Sequence, residues 1–138
     1  MDIKHLITKL NWFYSLELTQ VDLYLAQSKA FKNTYESIVF ERTADIEQGH
    51  VENIKAIIKK LGGKPVKIRS IVFPVLGKVV GDLVSLLGIE RSLKTNILLE
   101  SKAMNHYIDL INAVGSDYGE ELQKVLQHNL VDEDIHAA

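Results

Sequence analysis

The sequence predicts an all-α protein, a four-helix bundle with a long apolar crossover between its second and third helices. Three observations predict this class: apolar residues recur at steps of three and four, strand-like alternation is scarce, and the glycines concentrate between Gly62 and Gly88. The 138 residues are enough for one core and need no second. We therefore expect a single domain spanning 1–138, with helices at about 2–31, 34–61, 90–114 and 117–136 and the crossover at 62–89.

The first two helices are predicted from apolar stripes on either side of a turn. The first stripe comprises Ile3, Ile7, Leu10, Tyr14, Val21 and Tyr24. The second comprises Phe40, Ile54, Ile57 and Leu61. Lys32-Asn33-Thr34 forms the turn between them, and Gly62-Gly63 is a natural helix stop.

The last two helices are predicted in the same way. The third stripe comprises Leu93, Ile97, Met104, Tyr107, Ile111 and Val114. Gly115-Ser116-Asp117 interrupts the pattern, and Leu122 and Leu126 begin the fourth stripe. The most apolar stretch, 71–89, lies in the crossover, where Lys78, Asp82 and three glycines argue against a membrane-spanning helix.

Composition excludes several kinds of protein. The 16 Lys and Arg nearly balance the 18 Asp and Glu, so a basic footprint for nucleic acid is not expected. The chain has no cysteine, which excludes disulfides, thiolate chemistry and iron–sulfur clusters. Any metal must be held by carboxylates and imidazoles. The first residues do not resemble a signal peptide, so we expect a cytoplasmic location.

Each apolar stripe is interrupted by an acid: Glu17, Glu47, Glu100 and Glu133, in chain order. A buried carboxylate without compensation costs several kcal/mol or is neutralised. Four such acids in one core therefore call for a shared cation.

The second and fourth of these acids are each followed three residues later by a histidine, His50 and His136. Residues at i and i+3 share a helix face, so each pair can direct two ligands inward. The resulting pattern, Glu, Glu-x-x-His, Glu, Glu-x-x-His, is the ligand set of carboxylate-bridged di-metal bundles. It suits two iron ions, with manganese or a mixed pair as open alternatives.

The spacing of the acids is compatible with one common layer. In an antiparallel hairpin, two residues at one height are equidistant from the turn. The midpoint of Glu17 and Glu47 is Lys32, and that of Glu100 and Glu133 falls between Ser116 and Asp117. Both pairs would thus lie roughly 22–25 Å from their turns.

With these residues the sequence resembles the ferritin-like di-iron proteins, and among them the demethoxyubiquinone hydroxylase family. The resemblance is carried by Leu86-Leu87-Gly88, Leu99-Glu100, His106-Tyr107 and Asp132-Glu133-Asp134-Ile135-His136. It implies a ferritin-like fold and carries the family's metal ligands over to Glu17, Glu47, His50, Glu100, Glu133 and His136. It also assigns His106 and Tyr107 as candidate catalytic residues, although a plain core role for Tyr107 is equally open.

The resemblance implies a di-iron oxidoreductase, a monooxygenase that activates dioxygen and hydroxylates a quinone-like lipophilic substrate. Reducing equivalents must come from an external electron donor, because the sequence has no nucleotide-binding fingerprint. The alternatives are rubrerythrin-like scavenging of peroxide or oxygen, which a further inward carboxylate as a seventh ligand would favour, and non-enzymatic iron storage. Residues 71–89 suggest either peripheral contact with the inner face of a membrane or packing within the bundle or a homodimer.

Overall fold

The computed structural model describes residues 1–68 and 88–137, and within these ranges it contains four helices and no strand. Helix α1 spans Ile3–Ala30, α2 spans Tyr35–Lys60, α3 spans Ile89–Val114 and α4 spans Glu120–Ala137. The all-α prediction is therefore confirmed. The chain divides into two compact units, Asp2–Ser92 and Leu93–Ala138 with Met1, and each is described by itself.

Most of the predicted crossover lies outside the described residues, as does nearly all of the predicted membrane-contacting stretch 71–89. Within the described part of the chain, no helix is long and apolar enough to cross a bilayer.

The first unit is built on the hairpin of α1 and α2, and a side chain caps the N-terminal end of each helix. Asp2 accepts a hydrogen bond from the backbone N–H of His5 at 2.8 Å, and Thr34 accepts one from that of Ser37 at 3.1 Å. These contacts satisfy N–H groups that a helix start leaves without intrahelical partners. Between the helices, Asn33 adopts φ 70°, a left-handed conformation that asparagine tolerates better than most residues.

Contacts across this hairpin fix its antiparallel register. The rings of Tyr24 and Phe40 lie 6.4 Å apart, and the hydroxyls of Ser28 and Ser37 lie 3.2 Å apart. Tyr24, Phe40 and Ala44 form a buried apolar cluster near the turn. The register places Glu17 and Glu47 at one height, as the midpoint argument requires.

The chain leaving α2 is held along α1 by two buried polar side chains. Gly62, at φ 85°, ends α2, and Gly63 N–H returns to the carbonyl of Ile58. The amide of Asn11 then donates to Lys64 O at 3.2 Å and accepts from Val66 N–H at 2.6 Å. Ser15 Oγ accepts from Ile68 N–H at 2.7 Å. Asn11 and Ser15 thus provide hydrogen-bond partners for backbone groups of residues 64–68, which belong to no helix or strand.

We expect Asn11→Ala to lower the free energy of unfolding by about 1–3 kcal/mol, because it removes both hydrogen bonds to the segment after α2. Urea unfolding of the metal-free protein measures this change. Thr8→Ala is the matched control, since Thr8 Oγ1 donates to the carbonyl of Lys4 on its own helix at an exposed site. Its loss should change the free energy of unfolding by less than about 0.5 kcal/mol. Equal effects of the two substitutions would contradict the assigned role of Asn11.

In the second unit, a turn containing Gly115 and Gly119 joins α3 to α4. Both glycines have positive φ, 49° and 88°. Because Gly119 directly precedes the helix, α4 begins at Glu120 rather than at the predicted residue 117. The side-chain amide of Gln123 donates to the carbonyls of Ile111 and Gly115, which satisfies acceptors at the end of α3.

The buried face of α3 differs from the predicted stripe. Leu93 and Ile97 are 38% and 44% exposed, so their assignment to the core was wrong. The buried positions of the helix recur at steps of four or three: Ser92, Asn96, Glu100, Ala103, Tyr107, Leu110 and Val114. The first half of this face is polar, which is why a search for apolar residues selected the neighbouring positions.

Candidate metal centre

The first unit brings together Glu17 from α1 and Glu47 and His50 from α2, here called the α1–α2 triad. His50 Nδ1 lies 3.0 Å from Glu47 Oε2 and 3.4 Å from Glu17 Oε2. One ligand atom from each residue falls within 4.8 Å of the others. Both carboxylates are 0% exposed. The i, i+3 spacing within α2 and the hairpin register therefore place three donor groups at one buried point.

The second unit brings together Glu100 from α3 and Glu133 and His136 from α4, the α3–α4 triad. His136 Nδ1 lies 3.7 Å from Glu100 Oε2 and 3.8 Å from Glu133 Oε2. The side chains of both glutamates are buried, and that of His136 is 7% exposed. Each helix pair thus presents the same chemical set, one glutamate facing a Glu-x-x-His pair.

The charge and donor atoms of each triad fit a divalent cation. One imidazole supplies at most one positive charge, which cannot balance two ionised carboxylates at a buried position. Burying such charge costs several kcal/mol unless a counter-charge compensates it. Carboxylate oxygens and imidazole nitrogens are suitable ligands for iron and manganese. The donor set is therefore compatible with the cofactor that the sequence predicts.

The two candidate catalytic residues lie in different environments. Tyr107 is 0% exposed, and its hydroxyl accepts a hydrogen bond from Asn129 Nδ2 at 3.2 Å. Asn129 is also fully buried and precedes Glu133 by one turn of α4. His106, the preceding residue on α3, is exposed. Tyr107 is thus linked by one hydrogen bond to a residue close in sequence to a candidate ligand, whereas His106 faces outward.

Sequence reasoning missed Gln20, which is only 2% exposed. It follows Glu17 by three residues on the buried face of α1. A polar residue at ligand-like helical spacing was the available signal.

Comparison with known proteins relates the chain to a family. Residues 16–138 match the family model described as ubiquinone biosynthesis protein COQ7. No curated protein matches the chain significantly. Among solved structures, the chain is similar to a dodecameric thioferritin, the bacterioferritin-related protein from Bacteroides fragilis, at 25% identity and a TM-score of 0.78. That match covers 99% of this chain and 82% of the other, and it confirms the ferritin-like fold class.

Proposed function

Because the chain belongs to the ubiquinone biosynthesis protein COQ7 family, a family of di-iron hydroxylases, we propose that it hydroxylates a quinone-like lipophilic substrate with dioxygen. Membership confirms both the resemblance to demethoxyubiquinone hydroxylases and the predicted oxidoreductase class. The identity of the quinone and the assignment of the ligands are the parts that we propose.

The observation that carries the proposal is the repeated triad. Each helix pair buries two carboxylates beside one imidazole, with the distances given above. We propose that the α1–α2 triad holds one iron ion and the α3–α4 triad a second, so that the six side chains are the iron ligands of the chain. Bundles of this class draw a glutamate from each of two helices and a Glu-x-x-His from each of the others.

The side chains of the two triads have separable tasks. The glutamates would neutralise the charge of the bound metals, and His50 and His136 would each supply a nitrogen ligand on its own helix pair. Two bound iron ions would supply the reversible redox chemistry that dioxygen activation needs. Insertion of one oxygen atom into a C–H bond reduces the second oxygen to water, so an external donor must deliver two electrons and two protons.

The hydrogen bond between Asn129 and Tyr107 bears on the proposed catalytic role of the tyrosine. Since the phenol oxygen accepts from the Asn129 amide, the phenol hydrogen is directed to another acceptor. A buried phenol held in this way is suited to passing a proton or an electron toward the metal ligands. Tyr107 is therefore the better supported of the two candidates, and His106 serves as its comparison.

We expect Tyr107→Phe to retain the iron content of the wild-type protein while its turnover falls by about 100-fold, within the range for loss of a positioned proton donor. Iron analysis together with steady-state kinetics measures both quantities. His106→Asn, at the exposed neighbouring position, should leave turnover within about twofold. Wild-type turnover in Tyr107→Phe would assign the residue to packing.

The direct test of the proposed reaction uses the iron-loaded protein, a short-chain methoxyquinol and a chemical reductant under ¹⁸O₂. The proposal predicts a hydroxylated product that carries one ¹⁸O atom. Consumption of oxygen without labelled product would contradict hydroxylation and favour scavenging. The location at a membrane surface, the contribution of 71–89 and a homodimeric state remain predictions within this proposal.

Ferritin-like iron storage is the second candidate, and one observation favours it: the similar structure is a dodecameric thioferritin. Storage requires a closed shell of many copies, so the mass in solution separates the two candidates. The rubrerythrin alternative calls for a further inward carboxylate as a seventh ligand. Among the residues described, Glu17, Glu47, Glu100 and Glu133 are the fully buried acids.

A further inference from the structure

Gln20 is a buried amide whose carbonyl oxygen has no donor among the described residues. Its side chain lies on the inner face of α1, and Oε1 is buried without a hydrogen-bond partner in that part of the chain. A buried acceptor left in this state costs about 1–3 kcal/mol. The presence of this unsatisfied carbonyl in the interior suggests that its hydrogen-bond donor is a bound molecule.

The hairpin register shows what lies around this amide. Moving four residues along each helix from the Tyr24–Phe40 pair reaches Gln20 on α1 and Ala44 on α2. Ala44 is 2% exposed, and its methyl group is small and cannot donate a hydrogen bond. The side chain that faces Gln20 from α2 thus supplies no hydrogen-bond donor and fills little space.

The same register places Gln20 next to the candidate ligands. It follows Glu17 by three residues on one helix face, a rise of about 4.5 Å. The amide therefore lies between the layer of the α1–α2 triad and the aromatic layer of Tyr24 and Phe40. A molecule bound to a metal at the triad would lie within reach of an amide at this height.

We propose that Gln20 is a ligand-binding residue of the α1–α2 triad, whose carbonyl oxygen accepts a hydrogen bond from an O–H group bound there. The O–H group is either a metal-bound water or a hydroxyl of the quinol substrate. This inference rests on the proposed function and adds to it a contact that selects protonated oxygen ligands.

The test compares Gln20→Leu with Gln27→Leu. Gln27 is a second buried glutamine on α1, and it takes part in a polar interaction. In the metal-free protein, Gln20→Leu should leave the urea midpoint unchanged or raise it, since it removes an acceptor that lacks a donor. Gln27→Leu should lower the midpoint. If Gln20→Leu destabilises the metal-free protein as much as Gln27→Leu does, Gln20 is structural and the inference is overturned.

Anaerobic competition for Fe(II) with a chromophoric chelator, followed by steady-state kinetics, identifies the donor. If the donor is metal-bound water, Fe(II) affinity of Gln20→Leu falls by about tenfold, as expected for loss of an outer hydrogen bond. If it is the substrate hydroxyl, Fe(II) affinity stays constant and KM rises by about tenfold at unchanged kcat. Unchanged Fe(II) affinity and KM would overturn the inference and leave the proposed function standing. A wild-type chain that binds no Fe(II) would overturn both.

Discussion

Glu47→Gln and Glu133→Gln are each expected to lower Fe(II) affinity by more than about 100-fold, a larger loss than removal of an outer hydrogen bond causes. Each change replaces a charged oxygen donor with a neutral amide of the same shape, so the helix packing is preserved. The two glutamates occupy equivalent positions in the α1–α2 and α3–α4 triads and should give comparable losses. Chelator competition on the metal-free variants measures the affinity.

The matched control is Glu52→Gln, on the exposed face of α2. It removes the same charge from the same helix without touching either triad, and its Fe(II) affinity should equal that of the wild-type protein. If Glu47→Gln retained wild-type affinity, the α1–α2 triad would not be a metal site. If only Glu133→Gln retained it, the assignment of the α3–α4 triad would be wrong.

Replacing the whole α1–α2 triad by leucines is expected to stabilise the metal-free protein while reducing its response to iron, because only the α3–α4 triad remains. In Glu17→Leu/Glu47→Leu/His50→Leu, two buried carboxylates and an imidazole give way to apolar side chains. Replacing a buried ionic cluster with packed apolar groups often raises the free energy of unfolding by about 1–4 kcal/mol. By contrast, His50→Ala should lower the free energy of unfolding by about 3–5 kcal/mol, because it removes the imidazole that lies beside both carboxylates.

Urea unfolding in the presence of a chelator measures both changes, and repeating it with Fe(II) measures the response to metal. The wild-type protein should gain about 4 kcal/mol for each bound ion when Fe(II) is a thousandfold above its Kd, and the triple variant, which keeps only the α3–α4 triad, should gain about half as much as the wild-type protein. Glu41→Leu/Glu52→Leu, at exposed positions of α2, is the control for added hydrophobicity. A triple variant less stable than the metal-free wild-type protein would indicate that the triad stabilises the fold rather than binding a cation.

The parts of the structure that depend on local spacing could be predicted from the sequence. The turn at Lys32-Asn33-Thr34 determines the hairpin register, and the register places Glu17 beside Glu47 and His50. The same reasoning applies to Glu100, Glu133 and His136. In each case, helical steps of three and four residues, together with one short turn, determine which side chains come together.

Other features could not be predicted because they depend on polar contacts between distant residues. Asn11 and Ser15 hold the segment after α2 through backbone hydrogen bonds that no side-chain pattern reveals. The predicted stripe of α3 failed at Leu93 and Ile97 because the inner face there is polar, as Asn96 shows. Binary hydrophobic patterning misplaces a helix face wherever functional residues occupy the interior.

The proposed function requires that the two triads bind two iron ions, one at each triad. Crystals of the iron-loaded protein, measured at the iron absorption edge, test it directly, since anomalous scattering locates iron independently of the protein. We expect two peaks per chain, each within ligand distance of glutamate oxygens and a histidine nitrogen. His50 should supply the nitrogen at one peak and His136 at the other. A single peak, or iron bound away from the six residues, would contradict it.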